Sequence, residues 1–481
     1  MLKDRIISAT KAFMERMPKA KRKEYGQFFT TLDSANFMAS LFSFKPNREM
    51  LRILDAGAGS GILCTSLVER LRSCGFKGGI ELTCYENDPS ILPLLKDALA
   101  LLESNCQVKC KLETANYLTS QNFESDETAN KFDLVIGNPP YRKINKSAQE
   151  AKCMASVCYG APNLYFLFMA MGIHNLAKNG ELVYIIPRSW TSGAYFERFR
   201  KYLLSNCVIE HIHLFGSRNE VFKGDPVLQE TMIIKVKKAS NAPRNITISF
   251  SESSDFYDTE TNKIKYSTIV GKNDYIYLAT NSEEESVLDR LEKLDFTLEG
   301  DGLRMKTGLV VDFRTREELR NHDGLDTYPL LYSQHIKDGG IVWPIGKENE
   351  YICTKRKALL QDNANYLFVK RFTAKEERRR LQCGMYFLKD HPKYQYISTQ
   401  NKINFIRCDT VDETYGLYAL FNSTIYDKYY RILNGSTQVN STEINKMPVP
   451  SKHIISCIGK ELQNMNLTEA NCDKVVNKWI S

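Results

Sequence analysis

The chain has 481 residues, 43% of them apolar and 25% charged, with a formal net charge of +8. That composition belongs to a folded globular protein of one large or about two to three ordinary domains, and it excludes disorder and collagen-like structure. No apolar run reaches the roughly 18 residues needed to span a bilayer, and the charged opening MLKDRIISATKAFMERMPKAKRKE lacks a signal-peptide block, so the expectation is a cytoplasmic protein with no membrane partner.

In chain order, residues 50–240 alternate short apolar runs with amphipathic stretches, the pattern of an α/β, doubly wound and mostly parallel Rossmann-like sheet. The first strand, 52–55, lies in RILDAGAGSGIL (52–63), which runs from Asp55 into Gly57, Gly59 and Gly61 and then into a helix over 62–74. Glycines let a backbone turn tightly and approach a ligand with no Cβ in the way; the spacing departs from the dinucleotide fingerprint G-x-G-x-x-G. A second strand, 80–85, delivers Glu86, and a carboxylate at that edge can accept hydrogen bonds from both hydroxyls of a ribose.

A helix over 91–104 and a strand over 108–112 lead to Asn116 and Tyr117. The fourth strand, 132–136, breaks at Gly137 and presents Asn138, Pro139, Pro140 and Tyr141. The two prolines fix this loop. The Asn138 side-chain oxygen and the Pro139 carbonyl can then both accept from an exocyclic amine, while the Tyr141 ring stacks on the attached base. Helices over 165–177 and 195–204 and strands over 182–186, 211–214 and 231–236 complete the sheet.

After residue 238 the chain turns polar, SNAPRNITISFSESSDFYDTETNK (240–263), which reads as a domain junction. From about 288 onward short aromatic runs replace the helix-strand alternation, as in a mixed α+β domain. Window 351–410 holds 13 Lys and Arg against 5 Asp and Glu, the whole of the +8, so a polyanion would dock there. The 13 cysteines are scattered without a CxxC pair or nearby paired histidines, so neither a disulfide framework nor a structural metal is expected.

These motifs together resemble the S-adenosylmethionine-dependent N6-adenine DNA methyltransferases of restriction-modification systems, of the gamma order. The resemblance covers about residues 24–238. YGQFFTT (25–31) is similar to the upstream cofactor motif, which implies that Thr30 helps bind the methionine end of S-adenosyl-L-methionine. The glycine turn with Asp55, then Glu86, then Asn138 to Tyr141 follow in the family's order, as do NLYFLF (163–168) and GELVYIIPRSW (180–190). Asn116-Tyr117 stands where the family usually has an Asp and an aromatic for the cofactor's adenine. Phe222 looks like the aromatic that packs on the other face of the flipped base.

The resemblance implies a methyltransferase catalytic domain over 1–245, a polar junction over 246–285 and a target-recognition domain over 286–481. Double-stranded DNA is then the partner, with Arg378, Arg379 and Arg380 as candidate phosphate contacts, and GSTQVN (435–440) with MPVP (447–450) resembles a segment near the end of such domains. No carboxylate pair with a Lys after a strand marks a fused nuclease, so if a restriction endonuclease accompanies the chain it is expected to be separately encoded. An RNA adenine or protein-glutamine methyltransferase, or a DNA-binding module with a degenerate core, would share parts of the pattern.

Overall fold

A computed structural model describes residues 2–16, 29–45, 47–125, 131–216, 231–374, 376–434 and 437–480. The chain divides into two compact units, Met1–Val270 with Asp274–Ile276, and Gly271–Asn273 with Tyr277–Ser481.

The first unit opens with two helices, α1 (Leu2–Arg16) and α2 (Leu32–Ser40), the second capped by Thr31, whose side chain accepts from the Ser34 amide. Then come β1 (Met50–Ala56), α3 (Ile62–Ser73), β2 (Gly79–Tyr85), α4 (Leu92–Cys106), β3 (Val108–Glu113) and β4 (Phe132–Gly137). A short α5 (Gln149–Cys153), α6 (Leu164–Asn175), β5 (Leu176–Pro187), α7 (Glu197–Asn206), β6 (Val208–Phe215) and β7 (Thr231–Lys237) follow. Two more strands, β8 (Asn245–Ser251) and β9 (Glu260–Lys265), end the series.

These strands make one nine-stranded sheet in the order β3-β2-β1-β4-β5-β7-β6-β8-β9. β3, β2, β1, β4 and β5 pair in parallel, and β7 is antiparallel to both of its neighbours. A parallel core needs apolar cover on both faces, and its strands are correspondingly buried. Ile53, Leu54, Val135, Ile136, Val183 and Ile185 are all at 0% exposure. α6 is apolar all round and almost wholly buried, as a helix lying between other layers must be. Strand order reverses between β1 and β4, and ligands of such sheets bind outside the carboxyl ends at that switch.

The change of unit falls inside the junction expected over 246–285, but not in its first part. That first part instead adds β8 and β9 to the sheet, β8 parallel to β6 and β9 antiparallel to β8. Period two gives β8 two covered faces: Ile246 and Ile248 are buried on one, and Ser249 and Ser251 are buried on the other, where they hydrogen-bond His211 and His213 of β6, so few apolar positions suffice. The change of unit falls at 270–277.

The second unit is the mixed α+β body that its composition suggests. A six-stranded sheet centres on Asn365–Lys370, antiparallel to Cys383–Tyr386 and Ile403–Cys408. A five-stranded sheet centres on Thr327–Leu331, antiparallel to Tyr351–Cys353 and parallel to Tyr396–Thr399. Among its helices are α8 (Val411–Asn422), α9 (Thr424–Leu433), α10 (Lys452–Leu462) and α11 (Glu469–Trp479).

Candidate active site

The glycine turn sits where the strand order reverses. Gly57, Gly59 and Gly61 have φ of 76°, 55° and 79°, a backbone region costly for any residue with a Cβ. The amides of Gly57 and Ala58 both donate to the Tyr85 carbonyl, at 2.8 and 3.0 Å, which locks the turn to the end of β2.

Glu86, one residue beyond β2, is 9% exposed. Its Oε2 accepts the Gly59 amide at 2.9 Å, and Oε1 accepts the amides of Asn87 and Asp88, each at 2.9 Å. Burial pushes its carboxyl above the usual carboxylate range, and these three amides work against that shift. Asp55 lies beneath the turn and is fully buried. Oδ2 accepts the Cys64 amide at 3.2 Å, whereas Oδ1 has no partner among the described residues. Desolvation raises its carboxyl to about 7.

A cavity of about 340 Å³ opens at this edge, walled by Gly57, Gly59, Glu86, Asn116, Tyr117, Asn138 and Pro140. The structure thus brings seven of the expected residues to one space. Phe29, Asp88, Glu150 and Phe168 share the wall and were not singled out by sequence reasoning. Phe168 ends the quoted NLYFLF segment, where it reads as helix core; Glu150 had no motif around it.

Tyr117 is buried, with its ring edge-on to Tyr85 at 5.0 Å and 5.2 Å from Phe168, and its hydroxyl donates to Asn175 Oδ1 at 2.7 Å. Asn116 Oδ1 accepts the amides of Leu118 and Thr119, and its Nδ2 donates to Glu150 Oε1 at 3.0 Å.

The Asn138 loop leaves β4 at Gly137, where a Cβ would meet the Tyr184 ring at 2.8 Å. Asn138 Nδ2 donates to Thr30 Oγ1 at 3.0 Å, across 108 residues of sequence, so the upstream motif orients the loop amide and turns its oxygen to the opposite edge. Thr30 is itself buried and stands behind the wall. Pro139 is buried in the loop. Tyr141 donates its hydroxyl to the Ile185 carbonyl at 3.0 Å and stands edge-on to Tyr165 at 6.3 Å. Burial pushes that phenol well above its ordinary range.

Phe222 lies outside the described residues, as do 435–436 of GSTQVN. The three arginines expected as phosphate contacts are not equally placed at the surface. Residues 376–380 form a turn and bends, and Arg380 is 1% exposed. Its guanidinium lies over the Tyr430 ring at 5.7 Å, Nε donates to Thr373 Oγ1 at 3.2 Å, and its backbone amide donates to Asp427. Arg379 donates to the Ser423 carbonyl at 2.7 Å and pairs with Glu469 at 3.1 Å. Arg378 alone is exposed, and it too pairs with Glu469, at 2.6 Å. Charges crowded in sequence are here spread over the interior and a local carboxylate.

Residues 84–222 match the model of the Eco57I restriction-modification methylase family. The chain is 35% identical over 461 residues to the type II methyltransferase M.BsuBI of Bacillus subtilis, covering 92% of this chain and 91% of that protein. It is 32% identical to the type II methyltransferase M.PstI of Providencia stuartii, covering 98% and 96%. Its fold is similar to that of the type IIL restriction-modification enzyme MmeI solved in complex with DNA, with a TM-score of 0.53, 11% identity, and coverage of 99% of this chain and 74% of that one.

Proposed function

The chain belongs to the type II methyltransferases of restriction-modification systems, and from that membership we propose that it methylates N6 of adenine in duplex DNA after flipping the base. It is a DNA methyltransferase, its cofactor is S-adenosyl-L-methionine, and its partner is DNA. The observation that carries the adenine reading is Asn138, held by Thr30 on the wall of the cavity that Glu86 and the glycine turn also line.

The cavity suits a nucleoside bearing an ammonium. Gly57 and Gly59 keep its floor free of Cβ atoms, Tyr117 and Phe168 offer rings for a purine, and Asp55 Oδ1 is a buried acceptor with no partner among the described residues. Glu86 would hold the ribose, and Thr30 with Asp55 the amino-acid end. When bound, the cofactor supplies a methyl group on a sulfonium, the electrophile of the reaction.

The chain's own residues prepare the nucleophile. The N6 lone pair of adenine is delocalised into the ring and therefore weak. Acceptors at Asn138 Oδ1 and the Pro139 carbonyl draw the amine toward tetrahedral geometry and localise that pair, with no covalent enzyme intermediate. Inside a duplex the amine is out of reach, so the base leaves the stack, and Tyr141 with Phe222 replaces the contacts it loses.

The chain then acts as the modification arm beside a separately encoded endonuclease. Incubating it with tritiated cofactor and duplex DNA, RNA and protein tests the reading: label is expected in DNA, as N6-methyladenine at one recurring sequence. Label in cytosine, RNA or glutamine would overturn it.

A further inference from the structure

An adenine ring entering a cavity loses the water on its exocyclic amine, so a site that tells adenine from other purines supplies an acceptor in its place. Asn116 lines the cavity but has no acceptor left. Its Oδ1 takes the amides of Leu118 and Thr119 at 3.0 and 3.2 Å, which uses both lone pairs, and its Nδ2 donates to Glu150 Oε1.

Three carboxylates stand on this wall, Glu86, Asp88 and Glu150. Glu86 takes three backbone amides, and what acceptor capacity it has left goes to the ribose on the proposed reading. Asp88 Oδ1 accepts both the amide and the hydroxyl of Ser90, at 2.9 and 2.7 Å. Glu150, on α5 and half-buried, has a single hydrogen bond among the described residues, the one that Asn116 donates to Oε1; Oε2 remains. That bond also fixes the carboxylate, so little side-chain freedom is left to lose when Oε2 accepts a ligand.

Sheet order says which purine this acceptor meets. Asn116 follows β3 and Asn138 follows β4, and β2 and β1 lie between those strands. The Asn138 end serves the base that receives the methyl group, so the Glu150 end faces the base at the far side of the cavity. We propose that Glu150 accepts the 6-amino group of the cofactor's adenine and that Asn116 is the residue that positions it. The proposal rests on S-adenosyl-L-methionine being the cofactor and names the group that reads its base.

Calorimetry on the full chain tests it, with S-adenosylhomocysteine and the analogue whose purine lacks the 6-amino group as probes. The native chain is expected to bind the amino compound about tenfold or more tightly than the analogue, the weight of a hydrogen bond to a charged acceptor. Glu150→Ala should remove that preference by weakening S-adenosylhomocysteine about tenfold while leaving the analogue within about twofold. Glu150→Gln keeps the size of the side chain but has one acceptor atom for two donors, and should lose most of the preference too. Unchanged preference in both variants would overturn the proposal. So would an equal loss for both probes, the signature of a merely structural residue. A native chain that binds neither probe would overturn the cofactor assignment along with it, so the two failures are distinguishable.

Discussion

In the proposed reaction the chemistry turns on Asn138. Thr30 accepts from its amide nitrogen, and on that reading its oxygen meets the target amine. An acceptor whose bond strengthens only as the amine pyramidalises contributes to rate and little to ground-state binding. Asn138→Ala is therefore expected to lower methyl transfer by at least ~10²-fold with cofactor and DNA affinities within a few-fold. Single-turnover kinetics beside calorimetry measures both, and near-native turnover would remove Asn138 from its role. Glu86 has the opposite character, because its bonds to Gly59, Asn87 and Asp88 exist before any ligand arrives and shape the cavity itself.

Pairs of elements carry their own consequences. On β6 and β8, His211 Nε2 and His213 Nδ1 both reach Ser249 Oγ, at 2.7 and 2.8 Å, and His213 Nε2 reaches Ser251 Oγ at 3.1 Å. Phe37 of α2 covers this ladder, 4.6 Å from the His213 ring and stacked at 4.2 Å on Phe256. Burial lowers His213 to about 3 and, with Lys235 beside it, His211 to about 4, both from 6.5. The sign follows directly: below 6.5 the unfolded chain takes up protons that the folded ladder refuses, so stability falls as pH drops from about 6.5 toward 4 and is untouched above 7. His213→Gln is expected to flatten that acid limb of the melting temperature, and a limb as steep as the native one would place the loss elsewhere.

In the second unit α8 and α10 cross at two glycines. A Cβ on Gly416 would lie 1.9 Å from the Ile455 carbonyl oxygen, and one on Gly459 would lie 1.8 Å from that of Asp412. Neither backbone can yield without parting the helices. Gly416→Ala should destabilise this unit by roughly 1–3 kcal/mol, the ordinary cost of overpacking, with cofactor affinity preserved because every cavity residue belongs to the first unit. Denaturant unfolding beside calorimetry checks both halves.

At the scale of the whole molecule, the net charge is carried by one window, yet much of it is answered locally. Arg356 pairs with Glu318, Lys393 with Asp323, and Arg407 with Asp362. Exposed pairs of this kind contribute little to stability, and they leave less free charge for DNA than the count suggests. Arg380→Met should lower the melting temperature, since it strips a buried polar partner from Thr373 at a cost of about 1–3 kcal/mol. It should leave the salt dependence of duplex binding alone. A slope smaller by roughly 0.9 between ~50 and ~200 mM salt would instead put Arg380 on a phosphate.

The sequence by itself determined the order of the motifs and the edge they occupy. A glycine turn, a carboxylate after β2 and a Pro-Pro loop after β4 are local features, and strand alternation places all of them at the carboxyl ends of a parallel sheet. Tertiary structure decided what no local pattern contains. Thr30 meets Asn138 and Asn116 meets Glu150 only because the chain folds back between them, Ile246 and Ile248 count as core only once β6 lies beside them, and Arg380 is buried because Tyr430 and Asp427 await it. Turns and strands are set by neighbours in sequence, whereas burial and hydrogen-bond partners are set by neighbours in space.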